Sequence, residues 1–90
     1  MSHSYKLRER SVVVEAILWT GDNNEDIADF CAVTGASFVL LGPGQAVIVP
    51  PVGGSPRFFH GPPRWIVRHA SGRLSAPTVE VFAARYEPAP

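Results

Sequence analysis

SVVVEAILWTGDNNEDIADF, residues 11–30, passes from an apolar run into an acidic helix start. Val12 to Trp19 is β-branched and aromatic and is apolar at both alternating sets of positions, the pattern of a central strand covered on two sides. Thr20-Gly21 ends it. Asp22 and Glu25 then read as a D-x-x-E capping pair, with Asp26 also in the first turn, where carboxylates favour the free amides and the helix dipole. Ile27, Phe30, Cys31 and Thr34 share one face and Gly35 supplies a left-handed stop, so the spacing predicts a helix over 22–34. One charge interrupts the strand. Glu15 shares a face with Val13, Ile17 and Trp19, and a lone carboxylate there is costly unless it is paired or lies at the sheet rim. Arg64 and Arg68 of another strand are its expected partners, which makes Glu15 a structural residue.

Working outward, Ser37 to Leu41 and Gln45 to Val49 flank Gly42-Pro43-Gly44 and predict a hairpin. A type II Pro-Gly turn splays a two-residue hairpin, so a longer or bulged loop is expected. Residues 50–63 hold five prolines and three glycines around Arg57-Phe58-Phe59-His60, a loop interrupted by an edge strand. In Arg64 to His69 the alternation puts Arg64, Ile66 and Arg68 on one side and Trp65, Val67 and His69 on the other, with Trp65 inward. Arg73 to Ser75 adds a short strand after the Ser71-Gly72 turn. Val79, Phe82 and Tyr86 fit a helical stripe, so a helical turn from Thr78 is expected to lead into an extended segment near Arg85 to Pro88. Residues 1–10 read as a flexible tail and 11–88 as a single compact domain.

The 90 residues carry eight basic and eight acidic side chains. No global field draws such a chain to nucleic acid or an anionic membrane. A domain of this size buries only about 60–65% of its unfolded surface, which favours a shallow site over a deep one. The single cysteine, Cys31, excludes an internal disulfide and fits a reducing cytoplasm. The N-terminus has no apolar run of a signal peptide, and no segment approaches a membrane span. His3, His60, His69 and Cys31 show no recognised metal-ligand spacing. No glycine loop is followed by the helix or lysine a phosphate cradle needs, and no acid lies between Asp29 and Glu80 to serve as a second catalytic carboxylate. No catalytic residue, metal or cofactor is therefore assigned.

Two blocks also carry a resemblance. Arg8-Glu9-Arg10-Ser11 followed by VVVEA, Trp19 and Thr20-Gly21-Asp22-Asn23, then Trp65-Ile66-Val67-Arg68 and the closing Phe82-x-Ala84-x-Tyr86-Glu87-Pro88, resemble a family of small, uncharacterised phage and prophage proteins. Its members typically read RKKPVVVEAxQW-TGDN, then PGDWIxRG, then GEFYPCKPDIFEATYEP. The blocks cover about residues 8–30 and 62–88. This chain departs from the pattern at Ser11 (Pro in the family), Pro63-Arg64 (Gly-Asp), His69 (Gly) and Ala76-Pro77 (Pro-Cys). The resemblance implies a compact fold and a phage or prophage origin, and no activity.

The charge distribution points to one surface. Asp22, Glu25, Asp26 and Asp29 line a helix face, too few for a nucleic-acid mimic. Arg57, Arg64, Arg68 and Arg73, with His69, occupy an acid-free stretch interleaved with Phe58, Phe59 and Trp65. Arginine beside aromatics suits protein hot spots and single-stranded nucleic acid; a solvated face in an arginine-rich composition is the bland alternative. The expected fold is α+β, one helix on a small, twisted, mostly antiparallel sheet of about five strands that can curl toward a barrel. The expected function is a non-catalytic accessory protein of the host cytoplasm that binds a host or phage protein through Arg57, Arg64, Arg68, Arg73 and His69. A weak nucleic-acid binder and a minor virion component are the alternatives, no membrane partner is expected, and homo-oligomerisation stays open.

Overall fold

β-Branched strand 13–19 does become central. The computed structural model describes residues 3–8, 12–51 and 54–89. Within them the chain forms β1 (His3–Leu7), β2 (Val13–Trp19), α1 (Asn24–Ala32), β3 (Ser37–Gly42), β4 (Gln45–Val49), β5 (Arg57–His60), β6 (Arg64–Arg68), β7 (Leu74–Ser75), α2 (Val79–Arg85) and β8 (Tyr86–Pro88). These make a five-stranded sheet of order β7-β6-β2-β1-β8 and a three-stranded sheet of order β3-β4-β5, antiparallel throughout.

The two-sided pattern of β2 organises the layers. Ile17 and Trp19, with Ile66 of β6, face a core completed by Ile27, Phe30 and Cys31 of α1 and by Ala46, Ile48 and Phe59 of the smaller sheet. Val14 and Ala16, with Val67, face a second core closed by Phe82 and Tyr86. In the second core Trp65 stacks on Phe82 at 4.1 Å with 12° between planes, and Tyr5 meets Phe82 edge-on at 5.0 Å. The larger sheet is thus covered by α1 and the smaller sheet on one side and by α2 on the other.

The architecture is α+β, but finer than expected. Instead of one helix on about five strands, the described residues hold two helices and eight strands in two sheets, and no barrel closes. Strands β3, β4 and β5 pack over Ile17, Trp19 and Ile66 rather than extending the first sheet. The outer strands β7 and β8, two and three residues long, are too short to close it. The expected tail is also corrected. His3–Leu7 pairs with both β2 and β8, and Lys6 and Arg8 reach Glu87 at 3.1 and 3.3 Å; Met1, Ser2, Glu9 and Arg10 lie outside the described residues, as do Ser11 of the first resemblance block and Val52-Gly53 of the proline-rich loop.

The helix start differs in its chemistry. Residue 23, not Asp22, is the cap position, and its side chain makes no capping bond. Asn23 turns back instead, accepting from Thr20 N at 2.9 Å and donating to Leu18 O at 2.7 Å, which locks the strand-to-helix turn. The C-terminal stop is as expected: Gly35 has φ +82°, Ala36 N reaches Cys31 O and Gly35 N reaches Ala32 O, the paired bonds of a Schellman ending. The hairpin carries the expected irregularity, a register shift between Leu40 and Gly42. Thr78 caps α2, accepting from Val81 N at 3.2 Å, and the chain then enters β8. No helix among the described residues is long and apolar enough to cross a membrane.

Candidate functional site

The four arginines of the acid-free stretch divide into two pairs. Arg64 and Arg68 are four residues apart on β6, about 13 Å of strand rise, with buried Ile66 between them. Both are half-buried, and each head is committed to backbone. Arg64 Nη1 donates to Ala76 O at 2.7 Å, and its guanidinium lies over the Phe59 ring at 5.7 Å. Arg68 Nη1 donates to Phe30 O at 2.8 Å and stacks on the Phe30 ring at 4.2 Å. Phe30 O belongs to the last turn of α1, which has no basic residue of its own, so Arg68 supplies the cation that free helix carbonyls favour. The expected single patch over Arg64 and Arg68 is not what forms, because part-buried backbone carbonyls take both heads.

Glu15 follows from the same observation. It pairs in register with Arg68 across β2–β6, but among the described residues the salt bridges are those of Lys6 and Arg8 with Glu87. Glu15 accepts from the Ser4 hydroxyl at 3.3 Å on the opposite neighbour, β1. Glu15 is half-buried and lines an open groove of about 300 Å³ with Arg68, His69 and Thr34.

Arg57 and Arg73 are exposed and line one cavity of about 230 Å³. Its floor is Ala36, Ile48 and Leu74 and its outer wall Pro50, Pro51 and Ser55. Ile48 sits opposite Arg57 in the β4–β5 register. Arg73 is held by the turn after β6, where Gly72 N donates to His69 O at 2.9 Å and His69 N to Arg73 O at 2.8 Å. That turn needs glycine, since Gly72 has φ +90°. Among the described residues no acid lines this cavity and neither arginine forms a salt bridge. The cavity is therefore bordered by two arginines over an apolar floor.

His69 bonds Ser75 Oγ at 3.0 Å across the β6–β7 pair. Burial, and then the charge of Arg73, hold its pKa below the ordinary histidine value, so the ring is neutral at pH 7. Cys31 is fully buried; burial pushes its pKa up to about 11, with Arg68 pulling weakly the other way. A thiol so held is a small apolar packing group and a poor nucleophile. No three His, Cys, Asp or Glu side chains among the described residues gather to hold a metal.

One surface went unmarked in the charge pattern. The register aligns Val39 with Val47 and Val47 with Phe58 across the smaller sheet, on the face opposite Phe38, Ile48 and Phe59. Phe58 is 68% exposed, Val39 43% and Val49 38%, while Val47 between them is only 5% exposed. The signal was in the sequence: AVIV of β4 is apolar at both alternating sets of positions, as β2 is, and so asks for cover on two sides. The larger sheet is covered twice, the smaller only once. No family model, no curated protein and no solved structure matches this chain.

Proposed function

We propose that this chain is a non-catalytic protein-binding domain, an accessory protein of phage or prophage origin whose partner is a host or phage protein. The outer face of β3-β4-β5, where Val39, Val49 and Phe58 stand exposed around the buried Val47, carries this reading. A contiguous apolar sheet face with an exposed aromatic is a surface that association covers. The phage attribution is supported by the two sequence blocks that resemble that family. With Arg64 and Arg68 committed to carbonyls, Arg57 and Arg73 remain for phosphate contacts in this region, which favours a protein over a nucleic-acid strand.

The test is affinity capture from host and phage-infected lysates with the parent protein and a Phe58→Glu variant as parallel baits. A protein retained by the parent and lost with Phe58→Glu, its binding then reconstituted from purified components, is the expected result. An identical retained set from both baits counts against this face. Binding to single-stranded DNA that falls steeply with salt would instead favour the nucleic-acid reading.

A further inference from the structure

The Arg57–Arg73 cavity has a chemistry of its own, distinct from the apolar sheet face. We propose that it takes the carboxyl-terminal residue of a partner polypeptide, with an apolar side chain on Ile48 and Leu74 and the terminal carboxylate between Arg57 and Arg73. This rests on the protein-binding reading and names the chemistry of the partner.

Size, charge and floor each limit the occupant. A volume of about 230 Å³ lies below the roughly 300–1,000 Å³ of sites for drug-sized ligands, and suits one residue-sized group. Two arginines with no acid among the described lining residues select an anion, and arginine's planar fork matches a carboxylate. The Ser55 hydroxyl adds a neutral donor at the rim. The floor of Ala36, Ile48 and Leu74 asks for an apolar group within a bond or two of that anion. A chain-terminal leucine or valine meets both demands, because its side chain and carboxylate leave the same carbon. An aspartate or glutamate side chain satisfies the rim and leaves the floor bare, as does inorganic phosphate. Gly54 approaches Pro50 closely in the outer wall, where an added Cβ would stand 2.7 Å from Pro50 Cγ.

The experiment is a titration of ¹⁵N-labelled protein followed by amide chemical shifts. The probes are the peptide acetyl-Gly-Ser-Ala-Leu with a free carboxyl terminus, the same peptide as its carboxamide, N-acetyl-leucine, and inorganic phosphate. Saturable shifts at Ile48, Arg57, Arg73 and Leu74 with the free-acid peptide are expected. The carboxamide should bind at least about tenfold more weakly, and Arg57→Ala and Arg73→Ala should each weaken the free acid about tenfold. Both variants replace exposed side chains, so the fold is retained, and Arg85→Ala is the matched control that leaves binding unchanged. Equal binding of the carboxamide overturns the proposal, as does displacement of the peptide by equimolar phosphate. N-acetyl-leucine, which presents the same side chain and carboxylate, should bind within a few-fold of the peptide, and its failure to bind would overturn the assignment of the terminal residue as occupant. No shift by about 10 mM peptide, beyond the weakest affinity of use here, also overturns it. Phe58 points to the other side of β5 and its Glu variant should not alter this titration, so failure here and failure of the sheet-face reading are separate results.

Discussion

Arg68 shows why a charge pattern read along a strand mislocates a surface. Its position opposite Glu15 was legible, and an ion pair was the natural expectation. The competing acceptor, the Phe30 carbonyl, lies 38 positions away in the chain, and nothing local announces a helix end arriving beside that strand. Arg64 is parallel, with the Ala76 carbonyl as acceptor and its Nε buried without a partner among the described residues. Removing either head strands a carbonyl that a charged donor now satisfies, so Arg64→Ala and Arg68→Ala should each cost about 1.5–3 kcal/mol in urea unfolding. Arg57→Ala, on an exposed residue, should stay within about 0.5 kcal/mol. Equal midpoints for all three would return Arg64 and Arg68 to the solvated surface. Glu15→Gln should also be nearly neutral, because the carboxylate's bond in the structure is a long one from Ser4. Cys31 was placed correctly by its helix position. With its pKa near 11, only about one molecule in a thousand is thiolate at pH 8, so alkylation in the native state should lag far behind that in urea.

At the scale of elements, the readable parts are those whose causes are local. The apolar run of β2, the glycine stop of α1, the bulged Pro-Gly hairpin and the Thr78 turn leading to β8 all follow from residues within a few positions of one another. What was not readable depends on partners distant in sequence. His3–Leu7 is mostly polar and becomes a strand only because β2 and β8 lie on either side of it. The residues in the resemblance blocks turn out to build these elements: Val14, Ala16 and Trp19 in β2, Trp65 and Ile66 in β6, Phe82 and Tyr86 closing the second core. Such blocks describe architecture more than activity. The Thr78 cap offers a direct check, since Thr78→Ala removes the acceptor for Val81 N and should cost about 1 kcal/mol, with Thr78→Ser recovering most of it. No difference between the two variants would mean that α2 is held by Phe82 alone.

For the whole molecule, the two tryptophans differ in rank. Trp19 is 1% exposed, meets Phe38 and Phe59 edge-on at 5.7 and 5.4 Å, and donates to Asn24 Oδ1 at 2.8 Å. It therefore ties the larger sheet to both α1 and the smaller sheet, whereas Trp65, expected as the inward anchor, is half-buried against Phe82 and Tyr5. Trp19→Ala should cost about 3–5 kcal/mol, close to the full stability of a domain this small, and Trp65→Ala clearly less. The global pH response rests on His69. Burial first, and then Arg73, hold its folded pKa below the ordinary value of 6.5, while Arg68 and Glu15 line the same groove. Between the folded pKa and 6.5 the unfolded chain therefore binds more protons, and stability rises with pH across that window. The contribution is fully present above 6.5 and is lost as pH falls through the folded value. Carboxylates, with ordinary values near 4, begin to titrate only below about pH 5.5. Urea midpoints measured from pH 7.5 down to 5.5 should accordingly fall in the parent, and the fall should flatten in His69→Gln, which preserves a hydrogen bond to Ser75 without a titrating ring. A slope unchanged by His69→Gln would place the proton uptake elsewhere and remove His69 from any account of acid sensitivity.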